Sequence, residues 1–215
     1  MTLKVVKNEI AIKVGTVIVM INKTKYLYKI LYDLPKVPEK FLNINIESNR
    51  ENTVVQVPHY DIHNRLDKQT QNPEIKGYWS IEELEKWRDN NIGYSGRKLM
   101  CREVLVKPKS NFYLPHVDNN RQFVVLYNLV DSGGELCFWQ ERNMELYRDP
   151  SIDRLVSTDY SKLTLIDSVK IPPFTWYIVN SQVLHSVENL TGPRKTIQFK
   201  VKATDPIVQD NLVLL

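Results

Sequence analysis

The chain has 215 residues, with 29 basic against 25 acidic side chains, a net charge of +4, and 42% hydrophobic residues. These are the proportions of an ordinary soluble domain able to bury a core, and without a run of five like charges nothing indicates nucleic acid as a partner. No apolar run exceeds the five residues 17–21, far below the ~20 that cross a bilayer, and residues 1–9 lack the apolar core of a signal peptide.

A single cytoplasmic domain is therefore expected, with no membrane partner. The two cysteines, Cys101 and Cys137, lie far apart in apolar surroundings without CxxC spacing, which fits reduced, buried thiols. Eleven tyrosines and frequent valine and isoleucine favour β-structure.

Residues 1–95 read as an N-terminal elaboration. Short strand-like runs occur at 10–12, 16–21 and 26–32, and the turn character of Asn22-Lys23-Thr24-Lys25 pairs the last two as a hairpin, although 26–32 has an equal helical reading. Leu34-Pro35-Lys36-Val37-Pro38 can neither continue a helix nor sit in a central strand, so a boundary falls there. His59-Tyr60-Asp61 is a His-x-Asp pair, but Pro58 interrupts the strand before it and a polar, loop-like stretch follows. A surface hydrogen-bonding pair is the expectation. Ser80 and Glu83 form a capping box, and Ile81, Leu84 and Trp87 give one apolar stripe on a helix at 80–90, packed on the sheet and closed at Gly93.

Strands follow at 99–106, 124–130, 135–139, 162–171, 176–180, 183–187 and 195–202. With one more at 113–118 they make eight, which predicts a mostly β jelly roll over residues 97–205, open at one end as a pocket. Residues 140–161 form the one long irregular insertion, a lid over that opening or a solvated loop.

The second His-x-Asp pair, His116-Val117-Asp118, sits in that extra strand. Residues two apart in extended chain share a face, so both side chains reach one cation. His185, sixty-seven residues beyond Asp118, lies in another β-branched run suited to a neighbouring strand. Two histidines and one carboxylate with open positions are the facial triad of non-haem Fe(II) sites. Nine residues after His185, Arg194 opens a strand with Thr196 on its face, and a guanidinium fork beside a hydroxyl suits a carboxylate. An anionic organic cosubstrate is implied. Lys195 competes with Arg194 if the register shifts by one. Tyr113 and Arg102 are further pocket candidates, with plain packing or a surface charge pair as the equal alternative, whereas Phe138, Trp139 and Trp176 read as core.

On His116-Val117-Asp118-Asn119, Ser132-Gly133-Gly134-Glu135-Leu136, Asn180, His185-Ser186-Val187 and Arg194-Lys195-Thr196, the region 99–201 resembles the 2-oxoglutarate and Fe(II)-dependent oxygenases, in particular the prolyl hydroxylase and aspartyl β-hydroxylase-like branches. The resemblance implies a double-stranded β-helix, Fe(II) held by His116, Asp118 and His185, and 2-oxoglutarate bound by Arg194 and Thr196, with O2 as oxidant and ascorbate as a supporting reductant. It also implies that one of Tyr127 and Asn128 touches the cosubstrate; alternation lets only one face inward. A carboxylate at 118, where related halogenases have a small residue, favours hydroxylation of a small molecule or protein side chain. Two other readings stand beside it: a cupin-like metal enzyme without 2-oxoglutarate, and a non-catalytic jelly-roll binding or structural module. The N-terminal elaboration is assigned to shaping the substrate side or an oligomer contact.

Overall fold

The computed structural model describes residues 3–6, 9–14, 17–22, 27–42, 53–56, 74–79, 82–94, 97, 99–105, 113–118, 121–141, 147–149, 154–156 and 160–212. In chain order the strands are β1 (Leu3–Val6), β2 (Glu9–Val14), β3 (Val17–Asn22), β4 (Tyr28–Leu31), β5 (Thr53–Gln56), β6 (Glu74–Trp79), β7 (Met100–Leu105) and β8 (Tyr113–Val117). They continue as β9 (Phe123–Asn128), β10 (Glu135–Glu141), β11 (Tyr147–Asp149), β12 (Arg154–Val156), β13 (Leu163–Lys170), β14 (Trp176–Asn180), β15 (His185–Glu188) and β16 (Arg194–Val201). Helix α1 spans Glu82–Asn91 and α2 spans Pro206–Gln209.

Two antiparallel sheets face each other. The larger runs β4-β14-β9-β16-β7-β6-β5 and the smaller β11-β12-β8-β15-β10-β13. The eight strands expected from the sequence are β14, β9, β16 and β7 of the larger sheet and β8, β15, β10 and β13 of the smaller; along the chain they alternate between the sheets except at β10 and β13, which pair within the smaller one, so the fold is a double-stranded β-helix of mostly β character. The period of two explains why these segments hold this shape. Val124, Leu126, Tyr177 and Val179 point between the sheets towards Leu136, Phe138 and Val187. Their alternates Val125, Tyr127, Trp176, Ile178, Ile197 and Phe199 pack on the outer side of the larger sheet against Leu84 of α1 and Ile207 and Val208 of α2. Trp176 is fully buried there, and its indole Nε1 donates to the Pro35 carbonyl at 2.9 Å, tying the 34–38 boundary segment to the core.

Three expectations are corrected. The N-terminal hairpin joins β2 to β3, within a three-stranded sheet that also holds β1. Residues 28–31 are neither helix nor part of that hairpin: they pair with β14 and extend the larger sheet, because Leu27 and Leu31 are buried against its two faces. The insertion at 140–161 is not wholly irregular, since β11 and β12 form a short ribbon whose inner strand pairs with β8, Val156 lying opposite His116. In α1, Leu84 is buried as the stripe required, and so is Arg88, whose guanidinium is paired with Asp89 at 2.6 Å and donates to the Arg97 carbonyl. Ser80 and Ile81, and the pair His59 and Asp61, lie outside the described residues. Gly93 closes the helix with φ +93°, its N–H donating to Arg88 at 3.0 Å.

The back of the smaller sheet carries a hydrogen-bonded chain. Trp139 Nε1 donates to Ser186 Oγ at 2.8 Å, Ser186 Oγ donates to Glu188, and Tyr160 donates to the same Glu188 oxygen at 2.9 Å. This fixes β15 from the side opposite the cleft. Burial raises the Glu188 carboxyl above its ordinary 4.5, with the two hydroxyls opposing. Burial likewise pushes the Cys101 and Cys137 thiols up to about 12, as for inert reduced cysteines; both are free.

Two outcomes follow from these contacts. Gly133 sits at φ +68° with Thr191 where a β-carbon would go; Gly133→Ala is expected to cost about 2–4 kcal/mol, read as a lowered urea midpoint. Because the folded state holds the Glu188 proton more tightly than the unfolded chain does, its contribution to stability falls as pH rises from 4.5 through the raised titration. Glu188→Gln keeps an acceptor for both hydroxyls and should flatten that slope, compared by urea midpoints at about pH 4 and about pH 8.

Candidate metal centre

The central strand pair of the smaller sheet sets the site. β15 runs antiparallel to β8 with His185 directly opposite His116, and the two imidazoles lie 4.4 Å apart between centroids. Asp118 follows the end of β8, and its N–H donates to the Ser181 carbonyl at 3.0 Å, in the turn just before His185. Gln182 reinforces this contact: its side-chain amide donates to the carbonyls of Asp118 at 2.5 Å and Arg121 at 2.7 Å. The two chain segments that carry the three side chains are thus pinned to each other at both strand and turn.

His116, Asp118 and His185 are buried, at 2%, 2% and 6% exposure. One ligand atom from each falls within 4.8 Å of the others, and His116 Nε2 is 3.8 Å from Asp118 Oδ1. His185 Nδ1 lies 2.8 Å from the Val183 carbonyl. That contact calls for the proton on Nδ1 and leaves the Nε2 lone pair for a cation. Buried imidazoles and a carboxylate converging in this way form a donor set suited to a divalent transition metal, with oxygen and nitrogen ligands and room for others.

His116 and His185 stand at the wall of a solvent-open cleft of roughly 380 Å³ between the sheets. Its polar lining is His116, His185, Arg121, Gln198, Tyr177 and Arg194; the remainder is aliphatic, from Val124, Leu126, Leu136, Val179 and Val187. Arg194 opens β16 and faces the cleft, while Lys195 pairs in register with Glu103 and falls on the alternate face with Ile197 and Phe199. Thr196 shares the Arg194 face and is 1% exposed. Arg194 Nη2 donates to the Tyr177 hydroxyl at 2.7 Å, which donates to Asn128 Oδ1 at 3.1 Å; Asn128 Nδ2 in turn faces the Ile171 carbonyl at 3.4 Å.

Of the Tyr127 and Asn128 pair, Asn128 is therefore on the inner face, joined to Arg194 through the Tyr177 hydroxyl. Tyr127 lies on the other side of the sheet, its ring 4.9 Å from that of Trp176. Tyr113 opens β8, but its side chain, like that of Arg102, lies outside what is described. Phe138 lies in the core behind His185, with ring centroids 6.4 Å apart. Sequence reasoning missed Tyr177, Arg121 and Gln198. Alternation from Val179 signals Tyr177 and alternation from Arg194 signals Gln198, whereas Arg121 lies between strands, where no period applies.

No family model and no curated protein matches the chain. Among solved structures, it is similar to a Pseudomonas putida prolyl-4-hydroxylase (11% identity, TM-score 0.41, 82% of this chain and 94% of that one). It is also similar to E. coli ycfD (12%, 0.44, 87% and 53%) and to procruciferin, an 11S globulin from Brassica napus (11%, 0.34, 73% and 28%). The chain thus spans about half of ycfD and under a third of the globulin. At these TM-scores the likenesses add nothing to the topology already described. No helix among the described residues is long and apolar enough to cross a membrane.

Asp118→Ala removes the only carboxylate of the donor set and is expected to weaken Mn(II) or Co(II) binding by more than the ~10–100-fold typical of losing an outer partner, measured by metal titration. Unchanged affinity would move the metal away from this cluster.

Proposed function

We propose that the protein is an Fe(II)- and 2-oxoglutarate-dependent dioxygenase that hydroxylates an organic substrate. The observation that carries this reading is the convergence of two features on one cleft: the buried His116, Asp118 and His185 set, and the Arg194 guanidinium backed by Tyr177 and Asn128. Neither feature alone selects the chemistry. Together they match a metal that must share its open positions with a dicarboxylate.

In this reading His116, Asp118 and His185 hold Fe(II). Arg194 receives the far carboxylate of 2-oxoglutarate, with Thr196 alongside on the same strand face. Tyr177 accepts one guanidinium N–H and donates its own O–H to Asn128, so the fork is held in one orientation before ligand arrives. Val124, Leu126, Leu136, Val179 and Val187 keep the walls between the two polar ends dry. Bound Fe(II) would supply O2 activation, coupling decarboxylation of 2-oxoglutarate to succinate and CO2 with insertion of oxygen into a substrate C–H bond. The substrate is a small molecule or a protein side chain, and ascorbate serves as an auxiliary reductant.

Purified protein supplied with Fe(II), ascorbate, O2 and 2-oxoglutarate should form succinate, and His185→Ala should abolish it. Arg194→Gln should raise the 2-oxoglutarate concentration for half-maximal succinate formation by about tenfold or more, the loss of a bidentate charge-assisted contact, with Mn(II) affinity kept. A matching rise in Lys195→Gln, or metal binding without any uptake of 2-oxoglutarate, would contradict the assignment; the second result favours a cupin-like metal enzyme.

A further inference from the structure

Arg121 sits beside the metal-ligand set, paired with Asp118. Its backbone carbonyl is held by Ser181 Oγ at 3.0 Å and by Gln182 Nε2 at 2.7 Å. The side chain is only 10% exposed, and it lines the cleft. Nε donates to Asp118 Oδ2, and Nη1 reaches Gln198 Oε1 at 3.3 Å. A guanidinium carries five N–H donors; these contacts use two, and the other three have no acceptor among the described residues. Facing the open cleft, these donors are available to a ligand, and an acceptor with two oxygens would take them up by charge-assisted hydrogen bonds.

Charge points the same way. Among the described residues, Arg121 and Arg194 bring two positive charges to the cleft and Asp118, paired with Arg121, one negative; the other described lining residues are aliphatic, hydroxyl, amide or imidazole. One positive charge is left over. Under the dioxygenase reading, on which this inference rests, a dication and the doubly charged 2-oxoglutarate cancel, so the surplus persists in the loaded site. The two arginines also serve different regions. Gln198, the partner of Arg121, lies four residues beyond Arg194 along β16, ~13 Å at the strand rise.

We propose that Arg121 binds a carboxylate of the substrate to be oxidised, so that the substrate class is a monoanionic carboxylic acid docked beside the metal. A planar two-oxygen anion fits the free edge of the guanidinium, and a single negative charge balances the cleft, which a phosphate dianion would overshoot. The carboxylate next to Asp118 keeps the reacting carbon within a short chain of the anchored group, as in a free amino or hydroxy acid.

The same chemistry is present in 2-oxoglutarate itself, so the test separates the two sources. Mn(II)-loaded protein saturated with 2-oxoglutarate is titrated with acetate and with its neutral isostere acetamide, and the paramagnetic broadening of each methyl resonance is read by proton NMR. Acetate should be broadened and acetamide not. Arg121→Gln should reduce the acetate effect by about tenfold while shifting 2-oxoglutarate affinity by less than about threefold, and Arg121→Lys, which keeps the charge without the fork, should retain part of it. Equal broadening by acetate and acetamide, or an acetate effect unchanged in Arg121→Gln, overturns the assignment. So does a tenfold loss of 2-oxoglutarate affinity in that variant, which gives Arg121 to the cosubstrate. Should Arg121→Gln take up no Mn(II), the lysine variant decides: loss of the acetate effect with metal and 2-oxoglutarate retained overturns the proposal. A wild-type protein that binds Mn(II) but no 2-oxoglutarate overturns the underlying reading and this inference with it.

Discussion

The pairing of β8 with β15 is the constraint on which the site depends. The two strands are separated by most of the core in sequence, yet their register sets His116 against His185 and the Ser181 carbonyl against the Asp118 N–H. A slip of one residue in either strand would turn its histidine to the opposite face and dissolve the cluster. Several independent contacts hold the register: Gln182 clamps the carbonyls of residues 118 and 121, β10 pairs with β15 from the other side, and the Trp139–Ser186–Glu188–Tyr160 chain anchors the back of the sheet. Placing buried polar ligands this way needs a scaffold that cannot relax; the ligand sheet packs its inner face on the apolar layer shared with the larger sheet, and that sheet is in turn packed on both faces.

The other end of the cleft is built on the same logic with different chemistry. Arg194 would be a mobile side chain if it depended on its own stem, and the Tyr177 hydroxyl and Asn128 amide remove that freedom. Arg121 plays against Asp118 in a comparable way, with one carboxylate oxygen towards His116 and the other towards the guanidinium. The cleft thus combines two guanidiniums with aliphatic walls, the mix of few placed polar groups and apolar lining typical of ligand sites.

Much of this was legible in the sequence because strand alternation is a local signal. The eight core strands and the shared face of Arg194 and Thr196 on β16 follow from a period of two. Three kinds of feature did not follow. Edge additions such as β4, which pairs with β14 across most of the chain, depend on long-range partners that no local pattern names. Tyr127 and Asn128 are neighbours, and which of them faces the cleft depends on register with β14 and β16 rather than on residue type. Arg121 sits in the turn after the ligand strand, where its role arises from the distant Ser181–Gln182 turn and from Gln198. Of the two His-x-Asp pairs, only the strand setting and the company of His185 separated 116–118 from 59–61.

The most direct measurement is a crystal structure of the protein grown with Mn(II) and 2-oxoglutarate. The account predicts an anomalous peak bonded to His116 Nε2, an Asp118 oxygen and His185 Nε2, with the dicarboxylate chelating it at one end and meeting Arg194 at the other. Metal density elsewhere, or a dicarboxylate that leaves Arg194 bonded to Tyr177 alone, would contradict it.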